Sequence, residues 1–257
     1  MRIASFNING TKARLPRLLE WLAETRPAVA CLQEIKCSDE SCPAHEFAPL
    51  GYHAIWHGQK GFNGVAILAD GVQPQETQRG LPGDPSDEHS RYIEADVFGL
   101  RVVCIYLPNG NPVPGPKFDY KLAWMERLRA RMRELRAAEI PVVVTGDFNV
   151  IPEDKDVWSP RAMGADALMQ TESRDAYALL LHDGWTDALD VLNPRGGVWT
   201  YWDYQAGAWQ RDHGFRIDHA LLSPELADRL VAAGVDKEHR GRERASDHAP
   251  VWIELRD

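Results

Sequence analysis

No stretch of the 257-residue chain approaches the roughly 20 consecutive apolar residues that a membrane span needs. The first residues carry no apolar run behind a basic segment, so the expected setting is the cytoplasm, away from any membrane. Cysteine is scarce. The four that occur, Cys31, Cys37, Cys42 and Cys104, have no partner cysteines or histidines at zinc spacing, and without an export signal they read as reduced thiols. Cys31 and Cys104 fall inside apolar runs, where a thiol serves as a small hydrophobe. Positive charge is also in deficit: the formal net charge of -9 excludes a protein that coats nucleic acid by bulk electrostatics. It leaves a catalyst open, because carboxylates that hold divalent cations raise the negative count and the ions reverse the field locally. Repeats, low-complexity tracts and Pro/Gly/Ser-rich linkers are missing, which argues for one domain spanning residues 1–257.

With 44% hydrophobic and 26% charged residues, the chain can bury a sizeable core. Strand patterns cover residues 2–8, 28–34, 53–57, 65–69, 92–97, 101–106, 142–145, 217–222 and 250–255. Helical spacing covers residues 15–25, 117–138, 173–181 and 224–230, the last behind a Ser223-Pro224 start signal. Many strands with helices between some of them favour two packed sheets flanked by helices. The arginines at 127, 129, 131, 133 and 136 read as the solvated face of a surface helix.

Polar residues repeatedly end these apolar strands. Phe6-Asn7-Ile8-Asn9-Gly10, Leu32-Gln33-Glu34, Gly146-Asp147-Phe148-Asn149 and Ser246-Asp247-His248 each place a carboxylate, amide or imidazole at a strand tip. A single tip of this kind is ordinarily a turn or cap residue. Together, held on rigid strands, Glu34, Asp147 and Asp247 with the amides Asn7 and Asn149 offer the oxygen ligands that magnesium prefers. No cysteine or clustered histidine sits among them, so zinc is a poor second choice. His248, beside Asp247, can hold a phosphate oxygen or accept a proton at ordinary pH.

These phrases, with Tyr106-Leu107-Pro108-Asn109-Gly110 and Arg216-Ile217-Asp218-His219, resemble in content and order the exonuclease III family of the endonuclease/exonuclease/phosphatase superfamily, along nearly the whole chain. The resemblance implies an α/β, DNase I-like fold: a four-layer sandwich of two mixed β-sheets flanked by helices, with the active site at one end. It implies metal ligation by Asn7, Glu34 and Asp247, water activation by Asp147, and positioning of that water by Asn149. Tyr106 and Asn109 would touch phosphates, and His248, oriented by Asp218, would stabilise the transition state. One or two magnesium ions, replaceable by manganese, would be the cofactor.

Superfamily substrates range from DNA to small phosphorylated molecules, so fold alone does not choose. The Tyr106 and Arg216 phrases resemble the abasic-endonuclease branch. Between them Trp199, Trp202, Tyr204, Trp209 and Phe215 crowd together with Arg211 and Arg216, a mixture suited to stacking on bases and walling a pocket for an extruded sugar. By family position Trp199 and Phe215 are expected in that pocket, Trp202 against the duplex, and Arg211 among the DNA contacts. The expected activity is a monomeric DNA phosphodiesterase of base-excision repair that incises double-stranded DNA 5′ to abasic sites and trims 3′ ends. The alternatives are an exonuclease without abasic incision, a phosphatase or phosphodiesterase of small substrates, and, least favoured, a catalytically dead DNA scaffold. Two departures from better-known relatives are visible: an initially acidic segment at 151–170 containing Trp158-Ser159-Pro160, and Pro112 where some relatives insert an arginine into DNA.

Overall fold

A computed structural model describes residues 1–256. The strands are β1 (Arg2–Asn7), β2 (Val29–Gln33), β3 (Tyr52–His57), β4 (Val65–Asp70), β5 (Gln75–Arg79), β6 (Tyr92–Val97), β7 (Leu100–Tyr106), β8 (Val142–Asp147), β9 (Thr186–Asp187), β10 (Asp218–Leu222), β11 (Leu230–Val235) and β12 (Val251–Leu255). The helices are α1 (Thr11–Thr25), α2 (Ala44–Phe47), α3 (Pro116–Ala137), α4 (Pro160–Met163), α5 (Thr171–His182), α6 (Ala188–Leu192) and α7 (Pro224–Ala227). The strands form two six-stranded sheets, ordered β11-β12-β1-β2-β4-β3 and β5-β6-β7-β8-β10-β9.

Each sheet is mixed: β1 runs parallel to β2 and antiparallel to β12, while β8 runs parallel to β7 and antiparallel to β10. Both faces of the central strands are buried, which is why they read as continuous apolar runs. Ile3, Cys31, Ile67, Val102, Cys104 and Val143 meet between the sheets. Leu18, Trp21 and Leu22 of α1 cover the outer face of the first sheet through Ala4, Phe6 and Leu32. Trp124, Leu128 and Met132 of α3, with Tyr177 and Leu180 of α5, cover the second. The result is the expected four-layer sandwich, and all four thiols are unpaired. Among the described residues, no helix is long and apolar enough to cross a membrane.

The differences from the sequence pattern have local causes. β5, Gln-Glu-Thr-Gln-Arg, is an edge strand with nearly every side chain exposed, so it carries no hydrophobic alternation. β9 is only two residues long. The helix expected over 224–230 stops at Ala227, and Leu230 begins β11 against β12. The arginines of α3 are tied down: Arg127 to Asp87, Arg129 and Arg133 to Asp183, and Arg131 to Glu94.

Arg216, placed by its sequence neighbours among possible DNA contacts, instead lies 3% exposed beneath the end of the second sheet. Its guanidinium donates to both carboxylate oxygens of Asp156, at 2.8 and 3.1 Å, and to Asp187 at 2.6 Å. Tyr177 donates to Asp187 as well, at 2.8 Å, and Asp187 caps α6 through the backbone N–H groups of Leu189 and Asp190. The network fastens the 151–170 segment and α6 to the start of β10.

Burial alone would raise the Asp187 carboxyl, but the Arg216 charge and the hydrogen bonds from His219 and Arg216 outweigh it and hold it far below the ordinary range. A carboxylate depressed in the folded state stabilises the fold above its unfolded pKa of about 4 and loses that contribution as pH falls towards the folded value. Asp187→Asn is therefore expected to cost about 3–5 kcal/mol at pH 7, because it leaves Arg216 under-compensated. The wild-type advantage should shrink between about pH 4 and pH 2. Urea unfolding of both proteins at neutral and acid pH checks this, and a pH-independent difference would contradict it.

Candidate functional site

The ends of β1, β2, β7 and β8 and the start of β10 lie at the same end of the sandwich. Register sets the first part of the site: Tyr106 and Asp218 flank Asp147 as its direct neighbours on the adjacent strands. Gly146 lets β8 approach β7 this closely, since a Cβ there would fall 2.0 Å from the Ile105 carbonyl oxygen. Just beyond their strands, Asn9, Glu34, Lys36 and Asn149 all adopt left-handed φ values, between 48° and 53°. Such conformations are uncommon for non-glycine residues and persist where the surroundings enforce them. Here Gly10 N–H donates to the Glu34 carbonyl at 2.8 Å, Lys36 N–H to Asn63 at 3.0 Å, and Phe148 N–H to Ile217 at 2.8 Å.

Asn7 joins the sheets. Its side-chain Nδ2 donates to Glu34 at 3.0 Å and to Asp147 at 2.9 Å, while its Oδ1 accepts from Asn9 N–H at 3.0 Å. The amide thus presents its nitrogen to the carboxylates, and its oxygen, expected as a metal ligand, is turned away to the turn. Asn149 is similarly engaged: Nδ2 donates to the Leu107 carbonyl at 2.9 Å, and Oδ1 accepts from Asn109 Nδ2 at 3.0 Å. Asp247 accepts from Asn9 Nδ2 at 3.0 Å and faces the same cleft as Asp147.

His248 completes the centre. Its Nδ1 lies 2.8 Å from Asp218 Oδ2 and its Nε2 3.8 Å from Asp147 Oδ2. Burial opposes a charge on this imidazole, but Asp218, Asp147 and Asp247 overcome it and push its pKa up to about 10. Burial raises Asp147 to about 7, with the His248 charge opposing and the Asp218 and Glu34 charges assisting. At Glu34 burial also acts upward, but hydrogen bonds from Lys36 and Asn7 prevail and keep it ionised, with Lys36 Nζ at 2.8 Å. Burial and the nearby Glu34 and Asp147 charges hold the Tyr106 phenol well above its ordinary value, so it stays a proton donor.

The Asp218 oxygen not facing His248 is buried without a hydrogen-bond partner, so negative charge exceeds what the surrounding donors satisfy. Ligand atoms of Glu34, Asp147 and His248 all lie within 4.8 Å of one another. Two hard carboxylate donors in a charge-rich pocket suit a divalent cation.

A cleft of about 560 Å³ opens over this centre. Its other side is walled by Trp158, Met163, Leu168, Tyr201 and Phe215. Of the expected DNA-facing residues, Asn109 and Phe215 line it; Arg211 is exposed but outside it. Trp199 is half-buried behind the cleft against Gly214. Trp202 is fully buried, donating from Nε1 to Asp212 at 2.9 Å and packed edge-on to Trp209, so it has no surface to offer a duplex. Backbone alternation puts Tyr201 in the wall instead, its ring 4.6 Å from Phe215 and 4.9 Å from His248.

Two positioning residues escaped the sequence reading. Thr200 Oγ1 accepts from the backbone N–H groups of Ile217 and Asp218, both at 3.1 Å. Lys121, 0% exposed, donates to the carbonyls of Asn109 and Asn149. Its place on the apolar side of α3, between Phe118 and Trp124, was the available signal.

The pattern of the Endonuclease/Exonuclease/phosphatase family matches residues 4–248. Exodeoxyribonuclease III of Haemophilus influenzae is 35% identical over 271 residues, covering 100% of both chains. The DNA repair nuclease APEX1 of Danio rerio is 30% identical over 99% of this chain and 82% of its own. Among solved structures, an AP endonuclease from Archaeoglobus fulgidus superposes with a TM-score of 0.96 at 35% identity, covering 100% of both chains. The 3′-5′ exonuclease NExo from Neisseria meningitidis gives 0.96 at 38% identity over 99% of each chain. Full-length similarity at this level means that the chain belongs to the endonuclease/exonuclease/phosphatase family, in its exonuclease III branch.

Proposed function

We propose that this protein is a magnesium-dependent DNA repair nuclease that incises the backbone 5′ to abasic sites and trims 3′ ends. The observation that carries the reading is Asp147, a buried carboxylate placed between a charged His248 and an ionised Glu34 on the floor of a cleft with an apolar far wall. The relatives support DNA as the substrate: their names are those of DNA repair nucleases and AP endonucleases, and a Neisseria neighbour is bound to a product DNA hairpin.

Glu34 and Asp147 are the residues that would hold the cation, with Asp247 beside them. Bound there, magnesium, or manganese in its place, would polarise a phosphoryl oxygen and steady the leaving oxyanion. Asp147 would accept the proton of the attacking water. His248, kept protonated by Asp218, would donate from Nε2 to a phosphate oxygen as negative charge develops there. Tyr106 would donate its phenolic proton to the same phosphate. Asn149, fixed by Leu107, would hold Asn109 against the phosphate path, and Lys121 would hold the backbone of both. Phe215 and Tyr201, beside His248, would receive the extruded base-free sugar.

An end-labelled duplex with one abasic analogue tests the reading directly. Cleavage should vanish with excess chelator and return with magnesium or manganese; full cleavage in chelator would remove the metal from the mechanism. Glu34→Ala should raise the metal concentration needed for half-maximal rate.

Asp147→Asn and His248→Asn should each lower turnover of bound duplex by a factor of about 10² to 10⁴. Duplex affinity should change little. Single-turnover rates measured beside equilibrium binding separate the two quantities, and weakened binding with normal turnover would reassign both residues.

Phe215→Ala should reduce incision at abasic sites more than removal of ordinary 3′ nucleotides. Phe215 also packs with Ile151, Val157, Leu168 and Ile217, and loss of a buried Phe costs about 3–5 kcal/mol. Thermal unfolding therefore accompanies the assay: unchanged stability with unchanged abasic incision would take Phe215 out of the pocket.

A further inference from the structure

The far wall of the cleft holds a preformed ring pair that neither the phosphate chemistry nor a base-free sugar uses. Trp158 and His213 lie face to face, with centroids 3.8 Å apart and planes 1° from parallel. Both line the same cleft as Asp147 and His248, yet Trp158 leaves 39% of its surface exposed. Backbone fixes the pair in place. Trp158 N–H donates to the Gly214 carbonyl at 3.0 Å, His213 N–H donates to Ala208 at 2.8 Å, and Val157 pairs with Phe215 in an isolated bridge. Behind the bridge, the Asp156–Arg216 pair locks the two segments together at 2.8 and 3.1 Å.

An exposed indole on a rigid mount is a stacking platform for a planar ring, and little ordering is needed on binding. The cleft's 560 Å³ is in the range of about 300–1,000 Å³ that holds whole small molecules. A base-free sugar beside Phe215 fills only part of it. Asp203 and Gln205 line the same space, giving a polar edge beside the rings.

We propose that the Trp158–His213 stack seats the nucleobase of the nucleotide being removed from a 3′ end. The inference rests on the DNA-nuclease reading above and deepens it. In both reactions the bond broken lies on the 5′ side of the nucleotide in the cleft. Water adds to phosphorus, the bond to the preceding O3′ breaks, and that oxygen leaves as a 3′ hydroxyl. At a 3′ end the released product is a nucleoside 5′-monophosphate, whose base the stack holds; at an abasic site the same space beside the rings stays empty.

The test compares matched duplexes that end in an ordinary 3′ nucleotide or in a tetrahydrofuran residue. Trp158→Ala should lower kcat/KM on the base-bearing end about tenfold more than on the base-free end, the order expected for one lost base–aromatic stack. Trp158→Phe should recover most of the ratio, and it guards against a folding defect in the alanine variant. A terminal 2-aminopurine, bound to Asp147→Asn protein, should be quenched and should brighten when Trp158→Ala is added to that background. If wild-type protein cuts both duplexes and Trp158→Ala leaves their ratio and the fluorescence unmoved, the base seat is overturned alone. If wild-type protein cuts neither, the DNA-nuclease reading falls and the base seat with it.

Discussion

The hydrogen bond from Asn7 to Asp147 joins the two sheets at their functional end. Asn7 closes β1 of one sheet and Asp147 closes β8 of the other, and the same amide reaches Glu34 on the turn after β2. One short side chain thereby fixes the separation of two carboxylates that would otherwise repel. Everything beyond depends on that spacing: the approach of His248, the cation-sized gap, and the left-handed turns that aim Glu34 and Asn149. Buried carboxylates in this density are unfavourable unless compensated. Protonated His248 offsets part of the charge, while one oxygen of Asp218 stays buried without a hydrogen-bond partner.

The sandwich was legible in the sequence because its central strands are buried on both faces and end in polar residues that have no packing role there. Glu34, Asp147, Asp247 and His248 were legible for that reason, Asp218 only through the phrase that carries the family resemblance, and the structure gathers all five at one end. What escaped depends on contacts that no spacing encodes. β5 and β9 carry no apolar alternation, and β11 follows a capping signal that also suits a longer helix. Trp202 and Arg216 look like DNA contacts in composition, but pairing of residues around 200 with residues around 215 turns them inward and leaves Tyr201 in the wall. Lys121 is a charged residue in an apolar stripe, satisfied by carbonyls of loops far from it in sequence.

The net charge of -9 also acquires a location. Much of the positive charge is already paired in the fold, as the α3 arginines and Arg216 show, and carboxylates concentrate in the cleft. A polyanion therefore meets little uncompensated basic surface at the reacting centre itself. Under the proposed mechanism, binding there would lean on the cation and on directional donors such as Tyr106 and His248. This favours a catalyst that releases its product over a protein that remains on the duplex.

The Val157–Phe215 bridge and the Arg216 clasp beneath it have a consequence for divergence. They attach the cleft's aromatic wall as a cassette with its own fastenings, whereas the phosphate-cutting end is fastened by Asn7, Thr200 and Lys121. Substitutions at Trp158, Met163 or His213 can reshape what the enzyme admits without disturbing the spacing of Glu34 and Asp147. A lineage built this way can change what the cleft admits while its chemistry stays fixed, and the boundary between the two lies at the paired residues Asp156 and Arg216.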